Sequence, residues 1–174
     1  MPSHACSAWG PFAIGVCAAA AHAGILSVFL PAKVIHMASI HKEIVVAAPA
    51  ARVWDAVRDV GAIHERLVPG FVTDCHMDGA DARMVTFGNG MTVRELIVDL
   101  DDGRRRLAWS ARGGRLLHHN ASLQVMDQDA GSARLVWTAD LLPNEMAPAI
   151  AAMIDQGLAA MKATLERSAA AAGS

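Results

Sequence analysis

The sequence predicts an α+β domain in which a curved antiparallel sheet of seven strands wraps a long C-terminal helix, with two short helices after the first strand. Three observations carry this. Between Phe71 and Leu142 the chain reads as short strand-like runs, separated by Gly-, Asn- and Asp-containing turns. A lone Ala48-Pro49 break follows the first strand-like run and opens a stretch of helical periodicity. After Pro143-Asn144 the apolar residues recur at helical spacing almost to the end of the chain.

In order, Ser39 to Val46 mixes apolar and polar residues as a first strand, which Pro49 stops because proline donates nothing to a sheet ladder. Pro49 suits a first helical turn, and Val53, Trp54, Val57 and Val60 then set a helix over Ala50 to Val60, ended by Gly61. A second short helix spans Ala62 to Leu67 and stops at Val68-Pro69-Gly70. Six further strands are predicted at Phe71 to Met77, Arg83 to Phe87, Met91 to Leu100, Arg105 to Ala111, Leu116 to Met126 and Ser132 to Leu142. Asp78-Gly79, Asn89-Gly90, Asp101-Asp102-Gly103, Gly113-Gly114 and Asp129-Ala130-Gly131 supply the turns between them. The closing helix runs to about Ser168 with Pro148 in its first turn and Met146, Ile150, Met153, Gly157, Met161 and Leu165 along one stripe. Methionine is flexible and polarizable and Gly157 leaves a notch, so this face suits an adaptable cavity as well as a packed core.

A chain of 174 residues holds one domain of ordinary size, and its formal charge of -2 gives no concentrated positive field for nucleic acid. Of three cysteines, Cys6, Cys17 and Cys75, only the last lies in the body, so neither a disulfide framework nor a paired-cysteine zinc site is available. The cytoplasm is the default compartment on this ground. Residues 1–36 form an apolar leader that is uncharged over most of its length, and three readings stand for it. It is an upstream or disordered extension with Met37 opening the domain of residues 37–174, a secretory signal that would place the protein outside the cytoplasm, or a membrane span. Ala21-His22-Ala23 has the form of a cleavage site, but residues 1–8 lack the basic residues such signals carry.

The order of elements resembles the helix-grip fold of the START and birch-pollen-allergen superfamily, SRPBCC, over Ser39 to about Ala170. Val45-Val46-Ala47-Ala48-Pro49-Ala50-Ala51-Arg52-Val53-Trp54 is similar to the family's strand, Ala-Pro and Val-Trp helix opening. Leu100-Asp101-Asp102-Gly103-Arg104-Arg105, followed by Trp109-Ser110 and Gly113-Gly114, resembles the polyketide cyclase/dehydrase-like branch and, more distantly, the plant abscisic acid receptors. The resemblance implies a cavity between sheet and helix and little about activity, because the superfamily spans carriers, receptors and cyclases. It implies a buried glutamate at Glu95, a pocket aromatic at Trp109, polar pocket groups at Asn120 and Ser122, and apolar walls at Val85, Phe87, Met153 and Gly157. Thr73 falls where the receptors place a lysine for the hormone carboxylate, which disfavours that ligand, and Phe87-Gly88-Asn89-Gly90-Met91 is too short for their lid.

Read from the residues alone, Met91, Val93, Glu95, Ile97 and Asp99 share one strand face and Thr92, Arg94, Leu96, Val98 and Leu100 the other, and neither face is cleanly apolar. Glu95 is either a surface or paired carboxylate, or a desolvated one able to move protons unless a cation such as protonated His118 offsets it. In the next long strand His118, Asn120, Ser122 and Gln124 alternate with Leu117, His119, Ala121, Leu123 and Val125. The reading adopted turns His118, Asn120 and Ser122 inward as a hydrogen-bonding line. The alternative, simpler by pattern, turns the apolar set inward. Adjacent histidines cannot grip one metal, His4, His22, His36, His41, His64 and His76 lack ligand spacing, and no nucleophile elbow or phosphate loop is present, so no metal or cofactor is expected. Arg104-Arg105-Arg106 reads as a solvated edge that discourages aggregation.

These readings converge on a protein that binds a small hydrophobic or aromatic molecule, oriented by Glu95, His118, Asn120 and Ser122. One rival is a cyclase or dehydratase in which Glu95 and His118 transfer protons, and another is an interaction module with a filled core. The partner is a small molecule rather than nucleic acid, a membrane enters only if the leader is a span, and a homodimer stays open.

Overall fold

The computed structural model describes residues 36–172. The leader, with its three readings, lies outside the described residues apart from His36. Strand β1 (Ala38–Val46) leads through Pro49 into α1 (Ala50–Arg58) and the single turn α2 (Ile63–Arg66). Six strands follow: β2 (Val72–Met77), β3 (Ala82–Phe87), β4 (Thr92–Asp101), β5 (Arg106–Arg112), β6 (His118–Asp129) and β7 (Ser132–Leu142). A 3-10 turn over Asn144–Met146 then opens α3 (Ala147–Ala172).

The strands form one curved, seven-stranded antiparallel sheet in the order β1-β7-β6-β5-β4-β3-β2. The predicted meander is thus continuous from β2 to β7, and β1 returns to pair with the last strand, Ile40 opposite Ala139 and Val46 opposite Ala133. Both helices before the meander end earlier than predicted. Asp59 closes α1 in a non-helical conformation, so Val60 falls beyond it, and the Val60 carbonyl is left free to accept side-chain hydrogen bonds.

Helix α3 is 26 residues long, roughly 39 Å at 1.5 Å per residue. Its buried stripe is Ile150, Ile154, Gly157, Leu158, Met161 and Leu165, while Met146 and Met153 are half-buried. Ile154 and Leu158 complete the 3.6-residue repeat that holds the helix against the sheet. Along β1 the helix is tied by polar contacts: Lys42 Nζ donates to Asp155 at 3.1 Å, Lys162 Nζ to the Val45 carbonyl, and the Ala47 amide to Glu166 Oε1 at 2.9 Å. The core on this side is continuous, with Val46, Val53, Val57, Leu123, Leu135 and Leu141 fully buried.

The arginine run proves not to be a sheet edge, because the edge strands are β1 and β2 and this run lies at the β4–β5 turn. Each arginine meets an acid there: Arg104 with Asp101 at 2.7 Å, Arg105 with Asp127 at 2.9 Å and Arg106 with Asp99 at 3.3 Å. No described helix is long and apolar enough to cross a membrane.

Candidate functional site

Between the sheet and α3 lies a hollow of about 70 Å³. Its walls come from four directions. Ile63, Leu67, Val68, Phe71 and Val72 arrive from α2 and the segment after it, and Val85, Phe87 and Leu107 from β3 and β5. Trp109, Leu123 and Trp137 cross the sheet, and α3 supplies Ile150, Met153, Ile154 and Met161. Only three charged or ionisable side chains interrupt this apolar lining, Arg83, Glu95 and His119.

Those three share one row across the sheet. Arg83 stands opposite Glu95, and Glu95 opposite Ala111. The β5–β6 register sets Ser110 opposite Asn120, so Ala111 falls opposite His119. Antiparallel partners project to the same face, so the row places a cation, a carboxylate, a methyl group and an imidazole side by side. Ala111 is small enough to leave Glu95 and His119 room to share the same end of the cavity.

Arg83 is held by two neighbours. Its Nε donates to Glu95 Oε2 at 2.9 Å, with Nη2 2.8 Å from the same oxygen, and its Nη1 donates to the Val60 carbonyl at 3.1 Å. The guanidinium carbon also lies 5.9 Å from the Trp109 ring centre. Both partners are buried, with side chains only 5% and 9% exposed. The same Val60 carbonyl accepts a weak bond from Cys75 Sγ at 3.4 Å, and burial pushes this thiol's pKa up, the behaviour of an unreactive structural cysteine.

His119 is 8% exposed, and its burial pulls the imidazole below the usual histidine range, partly offset by the Glu95 charge. The ring makes no hydrogen bond to any described residue, and Nδ1 is sealed from water. Trp137 Nε1 is a second buried donor lacking a partner among the described residues.

A wider recess of about 290 Å³ adjoins the hollow, lined by Gly70, Phe71, Phe87, Gly88, Asn89, Met153 and Gln156. Phe71, Phe87 and Met153 line both spaces. The two phenylalanine rings meet edge to face, 5.5 Å between centres, and form the partition. Trp109 and Trp137 make a similar contact at 5.4 Å inside. Gly157 does not line the hollow itself. A Cβ there would sit 3.2 Å from Phe71 Cε1 and 3.3 Å from Trp137 Cζ3, so the missing side chain lets both rings approach α3.

Of the residues singled out in the sequence, Val85, Phe87, Glu95, Trp109 and Met153 therefore line the hollow, and Gly157 shapes its wall. His118, Asn120 and Ser122 do not. In β6 the buried positions are His119, Ala121, Leu123 and Val125, while His118 and Asn120 are exposed and Ser122 half-buried on the other face. The simple alternation governs: turning three polar groups inward would cost more in unmatched hydrogen bonds than one neutral imidazole. With His118 outside, the proposed proton-transfer pair of Glu95 and His118 is not assembled, and the cation beside Glu95 is Arg83. Thr73 is likewise exposed, its hydroxyl bonded to the Thr86 carbonyl at 3.2 Å. Among the described residues no group of three His, Cys, Asp or Glu side chains is placed to hold a metal.

The curved sheet around a long C-terminal helix, with an apolar hollow between them, is the helix-grip fold. Residues 37–166 match the family model for "Polyketide cyclase / dehydrase and lipid transport", and the chain belongs to that family. Solved structures show the same fold. An uncharacterized protein from Bacillus thuringiensis superposes with a TM-score of 0.67 at 14% identity, over 74% of this chain and 98% of that one. A START superfamily protein from Mycobacterium smegmatis gives 0.59 at 12% identity, over 75% and 96%. A norcoclaurine synthase point mutant from Thalictrum, in complex with a transition-state analogue, gives 0.62 at 21% identity, over 80% and 98%. No curated protein matches the chain.

Proposed function

We propose that this protein binds a small, largely hydrophobic molecule between the sheet and α3, with the inner end of the ligand among Val85, Trp109, Leu123 and Trp137. The observation that carries the reading is an apolar hollow bounded by both layers, lying next to an outer recess and sharing with it a wall of two phenylalanines and a methionine. Membership of a family that includes lipid transport supports it.

Size refines the reading. The hollow is about five times the ~10–15 Å³ that one water needs, yet under half of a ~150 Å³ cavity known to take benzene. A ligand therefore reaches the inner space by turning Phe71, Phe87 or Met153 aside, which merges it with the outer recess. Methionine has the rotameric freedom for this, and the edge-to-face ring contact is worth only about 0.5–1.5 kcal/mol.

The test uses toluene as a neutral single-ring probe. A ligand that binds only the folded state raises the melting temperature with concentration. Toluene is expected to do so for the wild type and not for Val85→Phe, whose added ring occupies the hollow. Equal behaviour of both proteins overturns the reading.

A further inference from the structure

Resting on the cavity reading above, we infer that the ligand is neutral and carries a hydroxyl group, seated against His119 at the polar end of the hollow. Three features of the row Arg83–Glu95–Ala111–His119 lead there.

Charge comes first. Glu95 and Arg83 neutralise each other, and each of the arginine's Nε, Nη1 and Nη2 already contacts Glu95 or the Val60 carbonyl. A carboxylate ligand would enter an apolar space with no uncommitted cation to meet it, at a heavy desolvation cost. A cationic ligand would compete with Arg83 for Glu95. The site rewards neither sign.

In the polar row the unmet capacity lies on His119; the other unmatched group lining the hollow is the Trp137 indole N–H, a donor that an oxygen of the same ligand can also serve. The His119 ring is buried, lines the hollow and has no hydrogen-bond partner among the described residues. Buried polar groups in folded proteins are matched by protein, water or ligand, so the imidazole is the group that a polar atom of an entering ligand would meet. The free side chain is neutral imidazole, which offers one donor and one acceptor in either tautomer. A hydroxyl donates and accepts, so it serves both tautomers, whereas a carbonyl serves one.

The surroundings fix the rest of the molecule. Trp109 lies next to the row, within range of Arg83, and presents a ring edge to face with Trp137. A flat body seated beside this ring pair, rather than a branched one, makes the most of the aromatic wall, so the chemical class is a hydroxylated aromatic or similarly flat alcohol.

The experiment compares three probes of nearly equal size on the full chain: toluene, phenol and benzoate, each titrated while the side-chain nitrogen spectrum of His119 is recorded. Phenol is expected to bind at least as tightly as toluene, although water holds it better, and to move the imidazole nitrogen resonances where toluene does not. Benzoate is expected to bind weakest. In His119→Leu the affinity for phenol should fall roughly tenfold with toluene unchanged, and His119→Gln, which restores a donor and an acceptor, should recover part of the loss. If toluene binds but phenol is weaker and leaves the imidazole unmoved, or if benzoate binds tightest, the hydroxyl assignment is wrong while the cavity reading stands. If none of the three binds, both fall together.

Discussion

Arg83 and Glu95 are direct cross-strand neighbours on β3 and β4, and two guanidinium nitrogens converge on the one carboxylate oxygen, Oε2. The pair is buried beside an apolar hollow, where ion pairing has to offset a large loss of hydration. Its value therefore shows when it is broken. Glu95→Gln or Arg83→Met alone leaves one charge unmatched and is expected to cost about 3–5 kcal/mol in urea unfolding. Joint replacement by Arg83→Met and Glu95→Leu removes both charges and should cost clearly less than the sum of the two single changes. Additive losses would show that the two residues act independently.

Acid should weaken the fold through His119. Its burial lowers the folded-state pKa beneath the unfolded value of about 6.5. Above pH 6.5 both states are neutral and the stability is fully present. As pH falls from there towards the lower folded-state value, the unfolded chain takes up the proton first, and stability declines by at most about 1.4 kcal/mol per unit. Glu95 on β4 opposes this shift, and His118, adjacent in β6 but on the opposite face, adds to it. Arg83 on β3 is taken up by Glu95, and α2 and α3 present only apolar side chains to the hollow. Urea midpoints between pH 5 and 7.5 should show a shallower slope for His119→Gln than for the wild type.

Gly88 is placed by backbone crowding. A Cβ there would lie 2.7 Å from the Gly70 carbonyl oxygen, and the Gly88 amide already donates to the Phe71 carbonyl at 2.9 Å. Main chain cannot yield as a side chain can, so Gly88→Ala is expected to lose about 1–3 kcal/mol and to disturb the recess beside Phe71 and Phe87. Gly131→Ala, where nothing lies within 4 Å, should change stability by no more than about 0.5 kcal/mol. Thermal melts of the two variants give the comparison.

Trp54 links the first helix to the β4–β5 turn. Its Nε1 donates to Asp102 Oδ1 at 2.8 Å, and Arg58 Nη2 meets Oδ2 of the same carboxylate at 3.0 Å. Hydrogen bonds to an ionised acceptor are worth about 1.5–3 kcal/mol, less here because the aspartate is more than half exposed. Asp102→Ala should therefore cost about 1 kcal/mol and blue-shift the emission of Trp54. An unchanged spectrum would place the indole N–H elsewhere.

The architecture was legible because the turn chemistry and the two hydrophobic periods agree along the body. Asn89-Gly90 and Asp78-Gly79 mark hairpins that the structure closes with positive φ at both glycines, and the break at Pro49 opens α1. The apolar walls were legible too, Met153 from the helical period and the resemblance together, Val85 and Trp109 from the resemblance. The polar residues were not. In β4 a bulge leaves Val98 unpaired between Ile97 and Asp99, so neither face keeps a clean pattern. In β6 the resemblance favours Asn120 and Ser122, and His118 shares their face, while the plain alternation of Ala121, Leu123 and Val125 gives the buried side and with it His119. Arg83 went unnoticed because a single arginine at the start of a strand reads as surface. The available signal was its place beside Val85 and Phe87 in the inward set of β3, opposite a glutamate suspected of facing in.

The most direct test of the account is a pair of spectra of the full chain, nitrogen–proton for the tryptophan indoles and carbon–proton for the methionine methyls, titrated with toluene. Saturable shifts confined to Trp109, Trp137, Met153 and Met161, with the Trp54 indole still, are the expected result and place the probe between sheet and helix. Shifts only at exposed Met77 and Met91, or none that saturate, would contradict it.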